Sequence, residues 1–596
     1  MLSIKQLFFY ILTIIALFFC RCANPVSPEG GAKDVTPPKV ISCTPPNLSV
    51  HFAKSAIHID FNEFINLKNP LSEIFISPPL KHPPESKIRG RTLIIELKDS
   101  LLPATTYSIS FGNAIMDITE SNILKDFNYV FSTGNHIDSL TLRGNLTNAF
   151  DHKPQKDVFA ELYCNNNDTL PLDSLPLHVP PYYVTKTDEF GDFSFKNVKK
   201  NNYLLFALAD QNGDLIFNQP TEKIAFSDSL ARPYYIPVPI HDTLRKDSLA
   251  KVKPSDLTQK KMDSLKRADS IHKIDSIAQI EKHFPKYPLF LFESIDSIQR
   301  IVNSGFLKEG VVQLIFRFPV RQVQVLPLNL NSSVTWSVQE FSSRRDTMLI
   351  WFTHPESDSL IAEVSADGKL LDTLRLAYFK KEISKKGDKK NAHSQLELKN
   401  SVSSSGFNQF RSNFELTASY PILRWNFSRI LLIEDKDTIH PKLEFTDSIK
   451  RHILLSHKWK EDKMYQLLIP DSVFFSINNL SHDTIRQTIK TKAEKDFGNF
   501  SLSLNLENHP GQYIIQLINE NETTIFEEFI VTNSAKIQFP HITPGKFKVK
   551  AILDRNKNKH WDTGNYPKKI QPEMVLYFPK VIEIRGNWDV EERWDL

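Results

Sequence analysis

The stretch Leu101-Leu102-Pro103-Ala104-Thr105-Thr106-Tyr107-Ser108-Ile109-Ser110-Phe111 decides the fold class of this chain. Pro103 ends whatever element precedes it, because its ring fixes φ and removes a backbone donor. From Tyr107 onward the residues alternate. Tyr107, Ile109 and Phe111 fall on one face, with Ser108 and Ser110 on the other. A period of two is that of a half-buried strand. The same alternation stands upstream in Ile57-His58-Ile59-Asp60-Phe61 and in Leu93-Ile94-Ile95-Glu96-Leu97. Between these runs lie turn residues, Ser77-Pro78-Pro79 and His82-Pro83-Pro84. No helical period is sustained, and short strands separated by such turns predict a β-sandwich.

Working outward, the pattern recurs to the end of the chain. Residues 138–240 contain Thr187-Asp188-Glu189-Phe190-Gly191-Asp192-Phe193-Ser194-Phe195, a turn into a strand. Strands return in 286–380, with Val311 to Phe318 and Met348 to Phe352, and in 396–495, with Ile422 to Phe427 and Tyr465 to Ile469. The last unit, 496–596, repeats the second. Residues 193–210 and 537–554 align without a gap, pairing Phe195 with Phe539, Val198 with Ile542, Tyr203 with Phe547 and Asp210 with Asp554. Two copies so far apart indicate one fold used twice in a mosaic and not a solenoid. Two stretches break the pattern. Residues 241–285 are rich in Lys, Asp, Ser and Leu and predict a solvated, partly helical linker; residues 381–395 are a Lys-rich linker.

A length of 596 residues predicts roughly four to six domains. The net charge is only +4, without the clustered basic face that a nucleic acid needs. Of the four cysteines, Cys20 and Cys22 lie at the end of an apolar run, while Cys43 and Cys164 fall in different predicted domains and are not expected to pair.

That apolar run, Leu7 to Phe19, follows Lys5 and is too short to span a bilayer comfortably, as expected for the core of a signal peptide over 1–21. A cysteine just beyond such a run is the acceptor of a lipoprotein's diacylglycerol. Cys22 is the preferred acceptor and Cys20 the alternative. Residues 22–35, rich in Pro, Gly and Ser, read as a tether.

Two resemblances sharpen this reading. "IHIDFNEFI", "LLPATTYSISFGNAIMD" and "NYVFSTG", within 36–134, resemble the bacterial Ig-like module typed by the S-layer protein SbsA. The segments Cys22-Ala23-Asn24-Pro25-Val26-Ser27-Pro28-Glu29-Gly30-Gly31 and "GNWDVEERWDL" resemble the two ends of a family of Bacteroidetes envelope lipoproteins. Units two and five resemble transthyretin-like, or carboxypeptidase-regulatory-like, sandwiches. The resemblances imply an all-β, multidomain array of Ig-like and transthyretin-like β-sandwiches on an outer-membrane lipid anchor. They transfer no active-site residue. The residues after Cys22 lack the acidic cluster associated with surface export in Bacteroidetes, which leans toward a periplasm-facing array and leaves periplasmic and surface-facing orientations both open.

One motif carries possible chemistry. After each repeat comes a loop with oxygen side chains at positions 1, 3, 5 and 9: Asp210, Asn212, Asp214 and Asn218 in the first copy, and Asp554, Asn556, Asn558 and Asp562 in the second. Alternate residues of a tight loop can wrap Ca²⁺, which takes six to eight oxygens. The preferred reading is that Asp and Asn cap their own backbone with no metal, since strands joined by such turns need none. Neither loop is an EF-hand, since Leu215 and Lys559 occupy position 6, and Lys557, Lys559 and His560 make the second the poorer cage. The triplet Asp-Ser/Thr-aliphatic recurs more often than composition predicts. It resembles the Bacteroidetes O-glycosylation sequon, with Ser264, Ser270 and Ser276 as acceptors, and is equally read as turn chemistry. There is no nucleophile elbow, phosphate-binding glycine loop, His-Glu-x-x-His or zinc-type cysteine spacing. The expectation is a non-enzymatic envelope lipoprotein that needs no other cofactor and has a structural or interaction role. Its partners are the membrane and unidentified envelope proteins or glycans. The alternative is a polysaccharide-binding lipoprotein of a nutrient-uptake system.

Overall fold

The computed structural model describes residues 34–164, 170–236, 284–294, 298–330, 335–353, 359–377, 395–402 and 407–596. The signal peptide, both candidate lipid acceptors, most of the tether and nearly all of both predicted linkers, with Ser264, Ser270 and Ser276, lie outside them. The chain divides into two compact units between Glu293 and Ser294. Both are all-β, with two sandwiches in the first and three in the second among the described residues.

The first sandwich shows how the alternating runs become layers. Its seven main strands, in chain order, are Val40–Thr44, Ala56–Phe61, Phe75–Ser77, Glu85–Arg89, Thr92–Glu96, Thr106–Ser110 and Asn128–Ser132. One sheet runs first-second-fifth-fourth and the other third-sixth-seventh, with a small ribbon, Ile65–Leu67 against Ile115–Asp117, at the side. That is the strand order of an immunoglobulin constant-type sandwich. The alternating apolar residues Ile57, Ile59, Phe61, Leu93, Ile95, Tyr107, Ile109 and Phe111 meet between the sheets, none more than 1% exposed. Full burial of one such side chain stabilises by roughly 1.5–3 kcal/mol. The Pro103 turn is pinned as well: the Leu102 backbone N–H donates to the Tyr107 hydroxyl oxygen at 2.7 Å.

The same order recurs twice in the second unit. The third sandwich has seven strands between Ile301–Lys308 and Lys369–Ala377, around a core of Leu314, Ile350, Leu360 and Val364. The fourth, from Leu398–Asn400 to Ile485–Lys490, adds the short edge strand Asp437–Ile439 and repeats the small side ribbon. Its sixth strand, Met464–Ile469, also begins at a pinned tyrosine. The Lys460 N–H donates to the Tyr465 hydroxyl at 3.0 Å, five residues upstream as with Leu102 and Tyr107.

The second and fifth sandwiches share a different order. In the fifth, one sheet runs fourth-first-seventh (Ala535–Ile542, Gly498–Asn505, Asp589–Asp595). The other runs third-second-fifth-sixth (Ile525–Val531, Tyr513–Asn519, Gly545–Leu553, Val575–Tyr577). In the second sandwich the corresponding strands are Asp192–Val198, Leu140–Asn148 and Lys286–Glu293, and then Tyr183–Lys186, Phe159–Tyr163, Leu204–Ala209 and Lys223–Phe226; here the two sets join into one seven-stranded sheet, because Lys223–Phe226 also pairs with Lys286–Glu293. First and seventh strands are parallel in both. Of the matched residues, Phe195, Val198, Phe539 and Ile542 lie on the fourth strands, Phe547 on the fifth strand and Tyr203 just before its own, and all six are buried, while Asp210 and Asp554 open the loops that follow.

One boundary differs from the sequence reading. Strand Lys286–Glu293, expected to open the third unit, is the last strand of the second. It pairs in parallel with Leu140–Asn148, placing Leu289 opposite Leu146, and Leu289 and Leu291 are 1% exposed in that core. The segment that reads as a linker between units therefore joins the sixth and seventh strands of a single sandwich. Alternation marks a strand but does not name the sheet it enters, so nearness in sequence was the wrong guide.

Candidate functional site

The loops after strands Leu204–Ala209 and Gly545–Leu553 hold the eight candidate cation ligands. The structure brings each set of four together, and the two sets are built alike. In the first loop Asp210 Oδ2 accepts from the Leu215 N–H at 2.9 Å; in the second, Asp554 Oδ2 accepts from the Lys559 N–H at 2.8 Å. Asn212 Oδ1 accepts from Asp214 N–H and Asn556 Oδ1 from Asn558 N–H, each at 3.1 Å. Asp214 Oδ1 takes the Ile216 N–H and Asn558 Oδ1 the His560 N–H, each at 2.8 Å. Positions 3, 5 and 9 then close on one another. Asn212 and Asn218 donate to Asp214 Oδ2 at 2.9 and 2.5 Å; Asn556 and Asn558 donate to Asp562 Oδ2 at 2.5 and 2.7 Å.

Backbone angles match too. Positions 4 and 6 are left-handed in both, with φ of 81° and 58° at Gly213 and Leu215 and of 61° and 67° at Lys557 and Lys559. Glycine enters that region without a Cβ penalty, whereas Leu and the two lysines carry it. The hydrogen bonds from Asp210 and Asp554 hold the chain there.

A third acid in each loop escaped the sequence reading. Glu222, fully buried, accepts from the backbone of Gln211 at 3.3 Å, Asn218 at 3.1 Å and Gln219 at 3.0 Å. Glu573 accepts from Arg555 at 2.7 Å and Asp562 at 3.1 Å. Burial pushes the Glu573 carboxyl up, and the neighbouring Asp562 and Asp554 add to the rise against those hydrogen bonds. Glu222 sits at position 13, one beyond the position an EF-hand would use, while Glu573 is displaced by seven further residues. A gapless alignment could not pair them.

Beneath the first loop lies Glu161, on strand Phe159–Tyr163. Its neighbours Ala160 and Leu162 enter the core, so Glu161 faces the other side of the sheet, and it is 0% exposed. Tyr163 donates to Glu161 Oε2 at 3.0 Å, and Oε1 has no hydrogen-bond partner. Burial raises its pKa well above the ordinary glutamate range, and the charges of Asp210, Glu222 and Asp214 raise it further. Sequence could have flagged it only as an acid at an outward position of a strongly apolar strand. Across the described residues, no group of three His, Cys, Asp or Glu side chains is placed to hold a metal by itself. The donors at this loop are a mixed set of carboxylates and amides.

Two other features were weighed. A cleft of about 910 Å³ lies where the two sandwiches of the first unit meet, its walls carrying Glu73, Lys125, Asp157 and Lys186. Lys186 there acts as a staple. Its ammonium donates to the Ser72 carbonyl and stands 4.7 Å from the Phe159 ring centre. Of the two tryptophans near the end of the chain, Trp594 is buried against Phe578, while Trp588 is 52% exposed beside Arg585. Neither Cys43 nor Cys164 is in a disulfide among the described residues.

Residues 34–133 match the bacterial Ig-like domain. No curated protein matches the chain. Among solved structures, the N-terminal part of the bacterial S-layer protein SbsC is similar at 16% identity, covering 32% of this chain and 40% of that one, with a TM-score of 0.13. Domains A168–A170 of titin are similar at 8% identity, covering 49% and 97%, with a TM-score of 0.13. BcpA, the major pilin subunit of Bacillus cereus, is similar at 7% identity, covering 76% and 98%, also at 0.13. The chain thus spans less than half of the SbsC structure, and scores this low bear on neither fold nor function.

Proposed function

We propose that this chain is a non-enzymatic structural or interaction component of a bacterial cell envelope, held at the outer membrane by lipid on Cys22, or on Cys20 in its place. The observation that carries the reading is serial construction. Five sandwiches follow one another, three with immunoglobulin strand order, each closed around its own core. The first lies shortly after the Leu7–Phe19 run and its cysteines. Modules of this kind space and present surfaces; their chemistry lies in what they carry, since fold alone does not define function. Polysaccharide capture ranks second. It calls for several exposed aromatics on one module, and the exposed Phe150, Phe190, Tyr235 and Phe290 of the second sandwich are the observation that favours it.

The test is fractionation of cells carrying wild type, Cys22→Ala or Cys20→Ala, with protease treatment of intact cells. Release of Cys22→Ala from the membrane fraction supports the anchor as stated, and release of Cys20→Ala alone moves it two residues. Retention of both variants overturns the lipid reading. Protection of the wild type from protease supports a periplasmic role, and its removal supports display outside the cell.

A further inference from the structure

The Glu161 carboxylate is a buried acid with one oxygen unpaired, and the charges that act on it (Asp210, Glu222 and Asp214) are all negative. An ionised carboxylate removed from water is costly unless it is paired. The Oε1 atom of this fully buried side chain has no hydrogen-bond partner. The Tyr163 hydroxyl on the other oxygen is itself 3.5 Å from the Leu215 carbonyl, which ties Glu161 to the overlying loop. The loop is fastened down from its far side, where the Phe217 N–H donates to Pro176 in the short turn Leu172–Leu177 at 2.9 Å. What this arrangement lacks is positive charge.

We propose that the Asp210–Glu222 loop of the second sandwich binds one divalent cation of the calcium class, through side-chain oxygens of Asp210, Asn212, Asp214 and Asn218, with Glu161 completing the site from the sheet beneath. Glu222 is the positioning residue, its oxygens taken by three backbone N–H groups. All the donors are carboxylate or amide oxygens, with no sulfur or imidazole, a set that suits a hard cation. The Asn218 amide now turns nitrogen toward Asp214 Oδ2, and a half-turn presents its oxygen in the same place, while Asn212 Oδ1 keeps the Asp214 N–H. The fifth sandwich does not share the site. Strand pairing sets Gln516 where Glu161 stands, because Glu161 is opposite Phe206 and Gln516 is opposite Lys550 at the same repeat offset. Lys557 and Lys559 occupy positions 4 and 6 of its loop.

The test is calcium titration calorimetry on the full chain after chelator treatment, with hydrogen exchange of the loop followed in parallel. One equivalent of calcium binds, with Kd on the order of 10⁻⁴ to 10⁻³ M, the range of extracellular modules. Binding protects residues 210–222 from exchange. Glu161→Gln weakens binding at least tenfold without loosening the loop in chelator, Asp214→Asn abolishes it, and Asp562→Asn in the other loop leaves it unchanged. Absence of binding up to several millimolar calcium overturns the proposal. So does binding that survives both Glu161→Gln and Asp214→Asn, or that is lost with Asp562→Asn.

Discussion

In the second sandwich the carboxylate beneath the Asp/Asn loop, Glu161, meets only acids and a tyrosine hydroxyl. In the fifth, Gln516 holds that place and its amide donates to Glu528 at 2.7 Å. Across from it Lys550 replaces Phe206 and lies 3.6 Å from Glu522, which also receives Lys548 at 2.8 Å and the Tyr577 hydroxyl at 2.7 Å. The two loops above these faces share their hydrogen bonds almost one for one. Backbone shape is thus set by Asp and Asn at positions 1, 3 and 5 and by the buried glutamate, whatever charge surrounds them. The copies part company in electrostatics. One sets a buried acid beneath its loop among other acids, and the other supplies lysines from its own chain.

Five substitutions test how far the likeness extends. The described residues form five sandwiches, so a single melting curve is not two-state and each effect is best read by hydrogen exchange of the module concerned. The largest effect is expected in the cores. Phe195→Ala and Phe539→Ala should each cost about 3–5 kcal/mol in their own module, since both side chains are buried at matched positions. A large loss in one and none in the other would mean that the matched strands are not equivalent. Next, Glu222→Ala and Glu573→Ala each strip buried N–H groups of an acceptor and should loosen their loops by about 1–3 kcal/mol, with or without calcium. Indifference to Glu573→Ala would break the shared scaffold.

The smallest effect concerns the charged face of the fifth module. Burial alone would raise Glu522, but the hydrogen bonds of Lys548 and Tyr577, with Lys550 nearby, hold it below the ordinary glutamate range. A carboxyl lowered on folding stabilises above its unfolded pKa, and that stability is lost as pH falls through the folded value. The fifth sandwich should therefore lose protection as pH drops below about 4. Glu522→Gln should remove this acid step and cost about 1 kcal/mol at neutral pH. An unchanged acid profile in Glu522→Gln would place the step elsewhere.

Much of this was legible in the residues. Alternation at 57–61, 93–97 and 107–111 placed those side chains in a sandwich core, because a strand's faces follow directly from period two. The repeat at 193–210 and 537–554 marked the two related modules, and the positions 1, 3, 5 and 9 of each loop do converge. Glu222 and Glu573 were missed because one lies just past the expected spacing and the other beyond an insertion. Glu161 was missed because its neighbours in the site are 49 or more residues away along the chain.

The sequence by itself determined which residues form strands, which side of each strand is apolar and which loops carry oxygen donors. These are local properties, set by pleat geometry and side-chain chemistry. Only the tertiary structure decided that Lys286–Glu293 closes the second sandwich, that three modules share one strand order and two another, and that an acid from a neighbouring strand lies under one loop while a glutamine lies under its twin. Sheet partnership and burial depend on which distant segments meet, and one strand pattern is compatible with many partners.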